Sequence, residues 1–234
     1  MNRTPVLSER LKTIADLVIP GKPMADIGTD HGHLPMWCLE NGIVPFAVLS
    51  DINEGPLEKA KLRISRSVMS EESYSLRLGS GLSVLKPGEV STVVIAGMGG
   101  ELTSRLLAAE PGVTDSVERF VFQPRSRAGM LREWLWEHGW RICEERLVRE
   151  RRRLCQIFSA EKGNQIPYEF SDIPECEHPL MIPFLDRELV NIRIVIDNLL
   201  RSKEAVDQNK LEVLQRKAAV LEQRRDRLWK NSSF

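Results

Sequence analysis

The chain has 234 residues, 42% of them hydrophobic, with 33 basic and 33 acidic side chains and a formal net charge of zero. That is enough apolar material for one domain of ordinary size plus a smaller appendage, and it excludes an intrinsically disordered chain. It also excludes nucleic-acid binding through the field of the whole molecule, so any such binding needs locally clustered Lys and Arg.

Residues 7–18 carry Leu7, Leu11, Ile14, Ala15 and Val18 at the spacing of a helix with one buried face, stopped by Pro20 and Gly21. Arg10 and Lys12 lie on its polar face, as phosphate contacts or as merely solvated charges. Residues 24–27 then read as a strand that ends in a Gly/Asp/His-rich turn, Gly28-Thr29-Asp30-His31-Gly32-His33, and a helix start. This is the first βα crossing of an open α/β sheet, where glycines admit a ligand to the backbone and helix N–H groups attract its polar parts.

About 20 residues further on, the apolar strand 46–50 ends in Asp51, where a Rossmann-type sheet keeps the acid that grips a ribose diol. Neither dinucleotide nor P-loop spacing is met: Asp30 stands where a second turn glycine would let a pyrophosphate settle, and no Gly-Lys-Ser/Thr follows. A carboxylate there repels phosphate and tolerates a cation. S-adenosylmethionine, with a ribose, an ammonium, a sulfonium and no phosphate, therefore suits the turn better than NAD. The competing reading is that Asp26 and Asp30 only cap the helix and hold the turn. Asp51 weighs for the ligand site.

Residues 55–64 read as a helix with Pro56 in its first turn and a basic surface of Lys59, Lys61, Arg63 and, just beyond, Arg66. Residues 74–78 alternate as a strand and run into Gly79-Ser80-Gly81-Leu82 at the same carboxyl edge. The run 90–96 is a buried central strand, followed by Gly97-Met98-Gly99-Gly100 and a helix from Glu101. So many glycines imply a close approach to backbone, while Met98 equally reads as packing. A fifth strand, 120–122, leads into Gln123-Pro124-Arg125, and a helix over 130–140 closes on Gly139 with Trp134 and Leu135 in the core.

Residues 141–148 and 154–159 form an antiparallel strand pair across the charged turn Arg149-Glu150-Arg151-Arg152-Arg153. Alternating β and α closed by a hairpin is the element order of a Rossmann-like class I methyltransferase sheet with helices on both faces. From 163 to 183, Pro167, Pro174, Pro179 and Pro183 interrupt regular structure. Leu185, Leu189, Ile192, Ile196 and Leu199, then Leu211, Leu214, Ala218, Leu221 and Leu228, step by threes and fours on either side of the polar stretch 202–209. These make a C-terminal helical coiled-coil hairpin of two ~20-residue helices, each roughly 30 Å long. Its face with Lys210, Arg216, Lys217, Arg224, Arg225, Arg227 and Lys230 reads as a solvated surface or an RNA-binding one. The expected domains are 1–163, binding S-adenosylmethionine, and 164–234, connector and hairpin.

Cys38, Cys143, Cys155 and Cys176 never form a C-x-x-C pair and read as reduced, mostly buried thiols. Residues 1–5 lack an apolar segment and no run approaches membrane-spanning length, so the expectation is a cytoplasmic protein with no membrane partner.

Taken together, Ala-Asp-Ile-Gly-Thr-Asp-His-Gly-His-Leu-Pro, Asp-Ile-Asn-Glu-Gly-Pro from Asp51, Gly-Ser-Gly-Leu from Gly79, Ile-Ala-Gly-Met-Gly-Gly from Ile95 and Phe-Gln-Pro from Phe122 resemble the bacterial tRNA (adenine(22)-N1)-methyltransferase family over most of residues 7–160. The resemblance implies methyl transfer from S-adenosyl-L-methionine to N1 of an adenine in the D-arm region of tRNA. No metal and no obligate protein partner are implied. It also implies that Asp26, Gly28, Thr29, Asp30 and His31 line the methionine side of the cofactor, Asp51 and Ile52 the ribose, and Ser80, Gly81 and Leu82 the adenine. Ala96 and Gly97 would lie beneath the sulfonium. His31, His33, Gly97 and Met98 would surround the reacting centre, and Arg10, Gln123, Pro124 and Arg125 would face the RNA. Three positions depart from the family pattern: Ser80 stands where Asp is usual, His33 where an aromatic is usual, and Arg125 where a small or polar residue is usual.

N1 of neutral adenine carries an in-plane lone pair, so in-line displacement needs no strong base and rests on positioning. A paired or stacked adenine must first be swung out, because N1 lies on its Watson–Crick edge. The rivals are a Rossmann-like methyltransferase for a small molecule and a non-catalytic module that binds an adenosyl metabolite.

Overall fold

Five short apolar strands lie side by side in parallel: β1 (Met24–Ile27), β2 (Ala47–Asp51), β3 (Tyr74–Leu78), β4 (Thr92–Ala96) and β5 (Arg119–Gln123). Two longer strands, β6 (Trp140–Glu150) and β7 (Arg153–Lys162), complete a sheet of order β3-β2-β1-β4-β5-β7-β6, with β7 antiparallel to both neighbours. This is the expected Rossmann-like methyltransferase sheet. The computed structural model describes residues 6–65, 67, 69–201 and 207–231. The expectations for residues 1–5, for Arg66 and for 202–206 in the polar stretch lie outside these.

All four residues of β1 are buried, as a parallel strand covered on both faces requires. Alternation along the strands divides the core in two. Ala25, Ile27, Val93, Ile95, Phe120 and Phe122 pack on one face against Leu107 of α4 (Gly100–Ala109) and Leu131 and Leu135 of α6 (Ala128–Glu137). Met24, Leu49, Val94 and Val121 pack on the other against Ile14 of α1 (Glu9–Ala15), Leu34 of α2 (His33–Glu40) and Ala60 of α3 (Glu54–Ile64). Pro56 stands in the first turn of α3, where a missing N–H costs nothing.

Several details differ from expectation. A short helix not expected from the sequence, α5 (Pro111–Ser116), has Pro111 at its first position, where the fixed φ favours a start. Helix α6 begins before Met130, and Trp134 is only half-buried, stacked on His138 with ring centroids 4.0 Å apart. Of the cysteines only Cys38 is buried; Cys143, Cys155 and Cys176 are partly exposed because they lie on strand and connector positions with one open side.

The chain divides into two compact units, Met1–Glu175 and Cys176–Phe234, later than residue 163. Residues 164–175 belong to the first unit through polar bonds. Gln165 Oε1 accepts from Ile142 N–H at 2.7 Å, and Gln156 Nε2 donates to Asp172 O at 3.2 Å. The second unit pairs α7 (Met181–Arg201) with α8 (Gln208–Asn231). Arg193 bonds Glu222 at 2.6 Å and Arg225 reaches Asp186 at 3.5 Å, so residue numbers fall on one helix as they rise on the other and the hairpin is antiparallel. Pro183 does not interrupt α7 as expected; it sits in the first turn. Leu185, Leu189, Ile192, Leu211 and Leu221 of the expected seam are buried.

The connector's strongest tie is Arg132, whose side chain is wholly buried. Its guanidinium donates to Glu145 Oε1 at 2.9 and 2.6 Å, to Ser171 O at 3.0 Å and to Gln156 Oε1 at 2.8 Å, and lies over the Phe158 ring. Removing Arg132 leaves the buried Glu145 carboxylate without its counter-charge, which costs about 3–5 kcal/mol. Arg132→Leu is expected to lose that much in urea denaturation, and the Arg132→Leu/Glu145→Leu double variant to recover most of it.

Candidate active site

The strand order reverses between β1 and β4, and in an open α/β sheet ligands bind at the carboxyl edge beside that switch point. Two glycine-rich turns meet there. Gly28 has φ 74°, and a Cβ built on it would lie 2.5 Å from the methyl of Met98, so Met98 packs directly over the β1 turn. Gly28 N–H and Thr29 N–H both donate to Ser50 O at 2.8 Å, tying that turn to β2. The turn after β4 is tied to the one after β5. Gly97 N–H donates to Gln123 O at 2.9 Å, Arg125 N–H to Met98 O at 2.8 Å and Gly100 N–H to Ser126 O at 2.8 Å. A side chain at Gly100 would collide with the carbonyl of Arg127.

Strand register puts the key polar groups on one face. Asp26 pairs with Leu49 and with Val94, so Asp51, two residues after Leu49, and Ala96, two after Val94, share its side of the sheet. Gln123 pairs with Ala96 and joins them. Asp26 is buried, and its Oδ2 accepts from Thr29 Oγ1 at 2.7 Å. Burial pushes its carboxyl up to about 6; the Thr29 bond and the Arg10 guanidinium oppose the rise, and Asp51 and Asp30 add to it. Three carboxylates thus feel one another around one crevice. Asp51 Oδ1 accepts from Asn53 N–H at 3.0 Å in an Asx turn, and among the described residues Oδ2 is left for a ligand.

Asp30, in left-handed backbone at φ 52°, is exposed, with His31 Nε2 3.6 Å from its carboxylate. It does not cap α2; Gly32 holds that position. His33 opens α2, and its Nδ1 lies 3.1 Å from Arg63 Nη1. Arginine can only donate, so His33 Nδ1 is the acceptor and the ring proton sits on Nε2. Burial, then Arg63, then His31 hold His33 below the ordinary histidine range. The two imidazoles meet edge to face, with centroids 5.9 Å apart.

The other expected residues are arranged as follows. Ile52 and Ser80 are exposed; Gly81, at φ 57°, leaves no room for a Cβ beside Leu106. Leu82 is in the core, so only its backbone faces the edge. Gln123 and Pro124 are buried, Arg125 is exposed, and Ala96, Gly97 and Met98 are half-buried. Arg10 turns inward: Nη1 donates to Gln123 Oε1 at 3.3 Å and Nε to Glu150 Oε2 at 2.9 Å. Sequence reasoning missed Glu150, Asn53 and Arg63 as supports. Only Asn53 carried a local signal, the Asp-x-Asn of an Asx turn. Among the described residues, no group of three His, Cys, Asp or Glu side chains could hold a metal ion.

The methyltransferase-domain family matches residues 7–158. A Bacillus subtilis (strain 168) protein named tRNA (adenine(22)-N(1))-methyltransferase is 34% identical over 182 residues, 78% of this chain and 76% of that protein. The chain belongs to the tRNA (adenine(22)-N1)-methyltransferase family. Among solved structures, the B. subtilis M1A22 tRNA methyltransferase TrmK superposes with a TM-score of 0.81 at 28% identity, over 93% of this chain and 98% of that one. Streptococcus pneumoniae Sp1610 in complex with S-adenosyl-L-methionine gives a TM-score of 0.81 at 26% identity, over 93% and 99%. The family's likeness thus extends beyond the sheet to most of the helical hairpin.

In this family member the Asp26 carboxyl binds its proton more tightly when folded than when unfolded. Stability therefore falls as pH rises from about 4 through 6, and above that the buried charge costs about 3 kcal/mol in full. Asp26→Asn keeps an acceptor for Thr29 and removes the charge. The variant is expected to be more stable than wild type by up to about 3 kcal/mol near pH 8 and nearly equal near pH 4. Urea denaturation at the two pH values checks this, and a pH-independent difference would contradict it.

Proposed function

We propose that the protein transfers a methyl group from S-adenosyl-L-methionine to N1 of adenine 22, in the D-arm region of tRNA, in the cytoplasm. The observation that carries the reading is the pair Asp26 and Asp51 on one face of the sheet at the switch point, in a chain 34% identical to a curated enzyme of that name. The methyl-transfer domain is the sheet, expected at 1–163, and the helical hairpin within 164–234 is a candidate second grip on RNA.

The residues fit this cofactor. Asp26 is a buried carboxylate with a hydroxyl partner but no directly bonded cation among the described residues, the environment an ammonium group would complete. Asp51 offers a pre-oriented oxygen for a ribose diol. No basic side chain stands in the 28–33 turn apart from two imidazoles, which agrees with a ligand that lacks phosphate.

When bound, S-adenosylmethionine supplies an electrophilic methyl on a positively charged sulfur. The chain's own part is to hold and to shield. Asp26, Asp30 and His31 take the methionine end, and Ser80, Gly81 and the Leu82 backbone border the adenine. Ala96, Gly97 and Met98 form the floor; Met98, packed on Gly28, excludes water without offering a competing charge. Burial first and Arg63 second hold His33 below the ordinary histidine range, which disfavours a positive charge beside a sulfonium, while Nε2–H can orient the extruded adenine. Gln123 and Pro124 border the acceptor side, with Arg125 at the rim. The nucleophile is the adenine N1 lone pair, and no protein base removes a proton before attack. Near-attack positioning of this kind is worth several kcal/mol.

Incubation of the protein with radiolabelled S-adenosylmethionine and unmodified tRNA should label tRNA, and digestion should release 1-methyladenosine. Label in another nucleoside would overturn the base assignment, and no transfer with retained cofactor binding would leave the binding-module rival. Asp51→Ala and Asp26→Ala are expected to weaken S-adenosylmethionine binding on the order of a hundredfold in calorimetry, whereas His33→Ala slows turnover with affinity nearly kept. Because the cation needs Asp26 ionised, wild-type affinity should fall as pH drops through about 6, and Asp26→Asn should lose that dependence.

A further inference from the structure

The arginine turn between β6 and β7 takes no part in the site described so far. Since β7 runs against β5 and β6 runs against β7, β6 is parallel to β5, and its end at Glu150 lies on the carboxyl edge, the edge of the crevice. The register then measures how far the hairpin reaches. The last β5 pairing is Phe122 with Phe158, which is opposite Glu145, while the last β6 pairing is Glu150 with Arg153. Five further residues at about 3.4 Å each carry the tip roughly 17 Å past that pairing. The sheet therefore ends in an arm beside the rim of the pocket.

The arm's charge is uncompensated. Several arginines elsewhere in this unit are paired with carboxylates: Arg77 with Glu89, Arg119 and Arg141 with Glu161, Arg132 with Glu145. Arg149, Arg151, Arg152 and Arg153 are exposed, and none forms an ion pair among the described residues. The single acid of the turn, Glu150, is already engaged, accepting from Ser8 Oγ at 3.1 Å and from Arg10 Nε at 2.9 Å. Glu150, Arg151, Arg152 and Arg153 line an open surface concavity at the tip of the turn. The arm is also braced: Arg10 joins Glu150 to Gln123 at the acceptor side of the crevice.

We propose that the β6–β7 arm grips the phosphate backbone of the RNA substrate, with Arg149, Arg151, Arg152 and Arg153 bonding phosphates flanking the adenine delivered to the crevice. This rests on the tRNA reading above and adds the surface that holds the tRNA. Guanidinium forks suit phosphate oxygens bidentately, and such contacts fix register without reading sequence. Charges at the crevice rim also leave the acidic pocket itself free for the sulfonium nucleoside.

The test compares full-length wild type with the triple variant Arg151→Gln/Arg152→Gln/Arg153→Gln, using unmodified tRNA. Each lost phosphate contact removes about 0.7–0.9 from the slope of log K against log salt, so the triple variant should lose roughly 2–3 in slope. Its KM for tRNA should rise on the order of tenfold or more near 0.15 M salt, with S-adenosylmethionine affinity and thermal midpoint unchanged. Lys22→Gln/Lys86→Gln, at the opposite edge of the sheet, should leave the slope and KM near wild type. Equal slopes and KM in wild type and triple variant would overturn the arm while leaving the tRNA reading intact. If wild type neither binds tRNA with salt sensitivity nor methylates it, both fall together.

Discussion

A carboxylate buried at the end of the first strand is the constraint around which the rest of the site is arranged. Asp26 sits inside the sheet with one hydroxyl partner and two further carboxylates in electrical contact, so its ionised form is held at a cost. Folds retain such a group where a ligand completes it. The backbone near it is correspondingly over-determined. The N–H groups of Gly28 and Thr29 are both committed to Ser50 O, and Asn53 N–H holds one oxygen of Asp51, so the turns that carry these acids are fixed in place.

The same economy governs the two glycine turns. Gly28 admits Met98, and Gly100 admits the carbonyl of Arg127, so each turn is locked by a neighbour that a side chain would displace. The bonds from Gly97, Gly100 and Arg125 then join the β4 and β5 turns into one layer. A rigid floor of this kind suits a reaction whose barrier is lowered by alignment rather than by proton transfer. Arg63 contributes in the same sense, because fixing the tautomer of His33 fixes which of its nitrogens can donate.

The sheet was legible because its signals are local. Short, mostly apolar runs that reach Gly28, Asp51 and Gly97 announce strand ends and turns by themselves, and the hairpin seam announces itself through Leu185, Leu189 and Ile192. What stayed hidden depends on contacts distant in sequence. Arg10 reads as an exposed helix residue from its neighbours, yet bonds Gln123 and Glu150 more than a hundred residues away. Gln123 and Leu82 read as edge residues and turn out buried, Gln123 at the end of β5 and Leu82 in the core cluster that also holds Leu107. Arg132 shows no periodic cue for burial; its place follows from Glu145, Gln156 and Ser171 converging on it from three separate segments.

A formal charge of zero need not argue against an RNA substrate, since it averages two populations of arginine. One is consumed by structure: Arg77, Arg119 and Arg132 hold loops and strands through carboxylates and present little field to solvent. The other stands on the overhanging arm without acids to cancel it. Screening limits exposed charges to about 8–10 Å at physiological salt, so a phosphate senses the local cluster and not the molecular total. The separation has a second consequence. On the proposed function, an acidic crevice and a basic rim on one edge would sort the two substrates by charge, the cationic donor inward and the polyanionic acceptor outward, before any base is read.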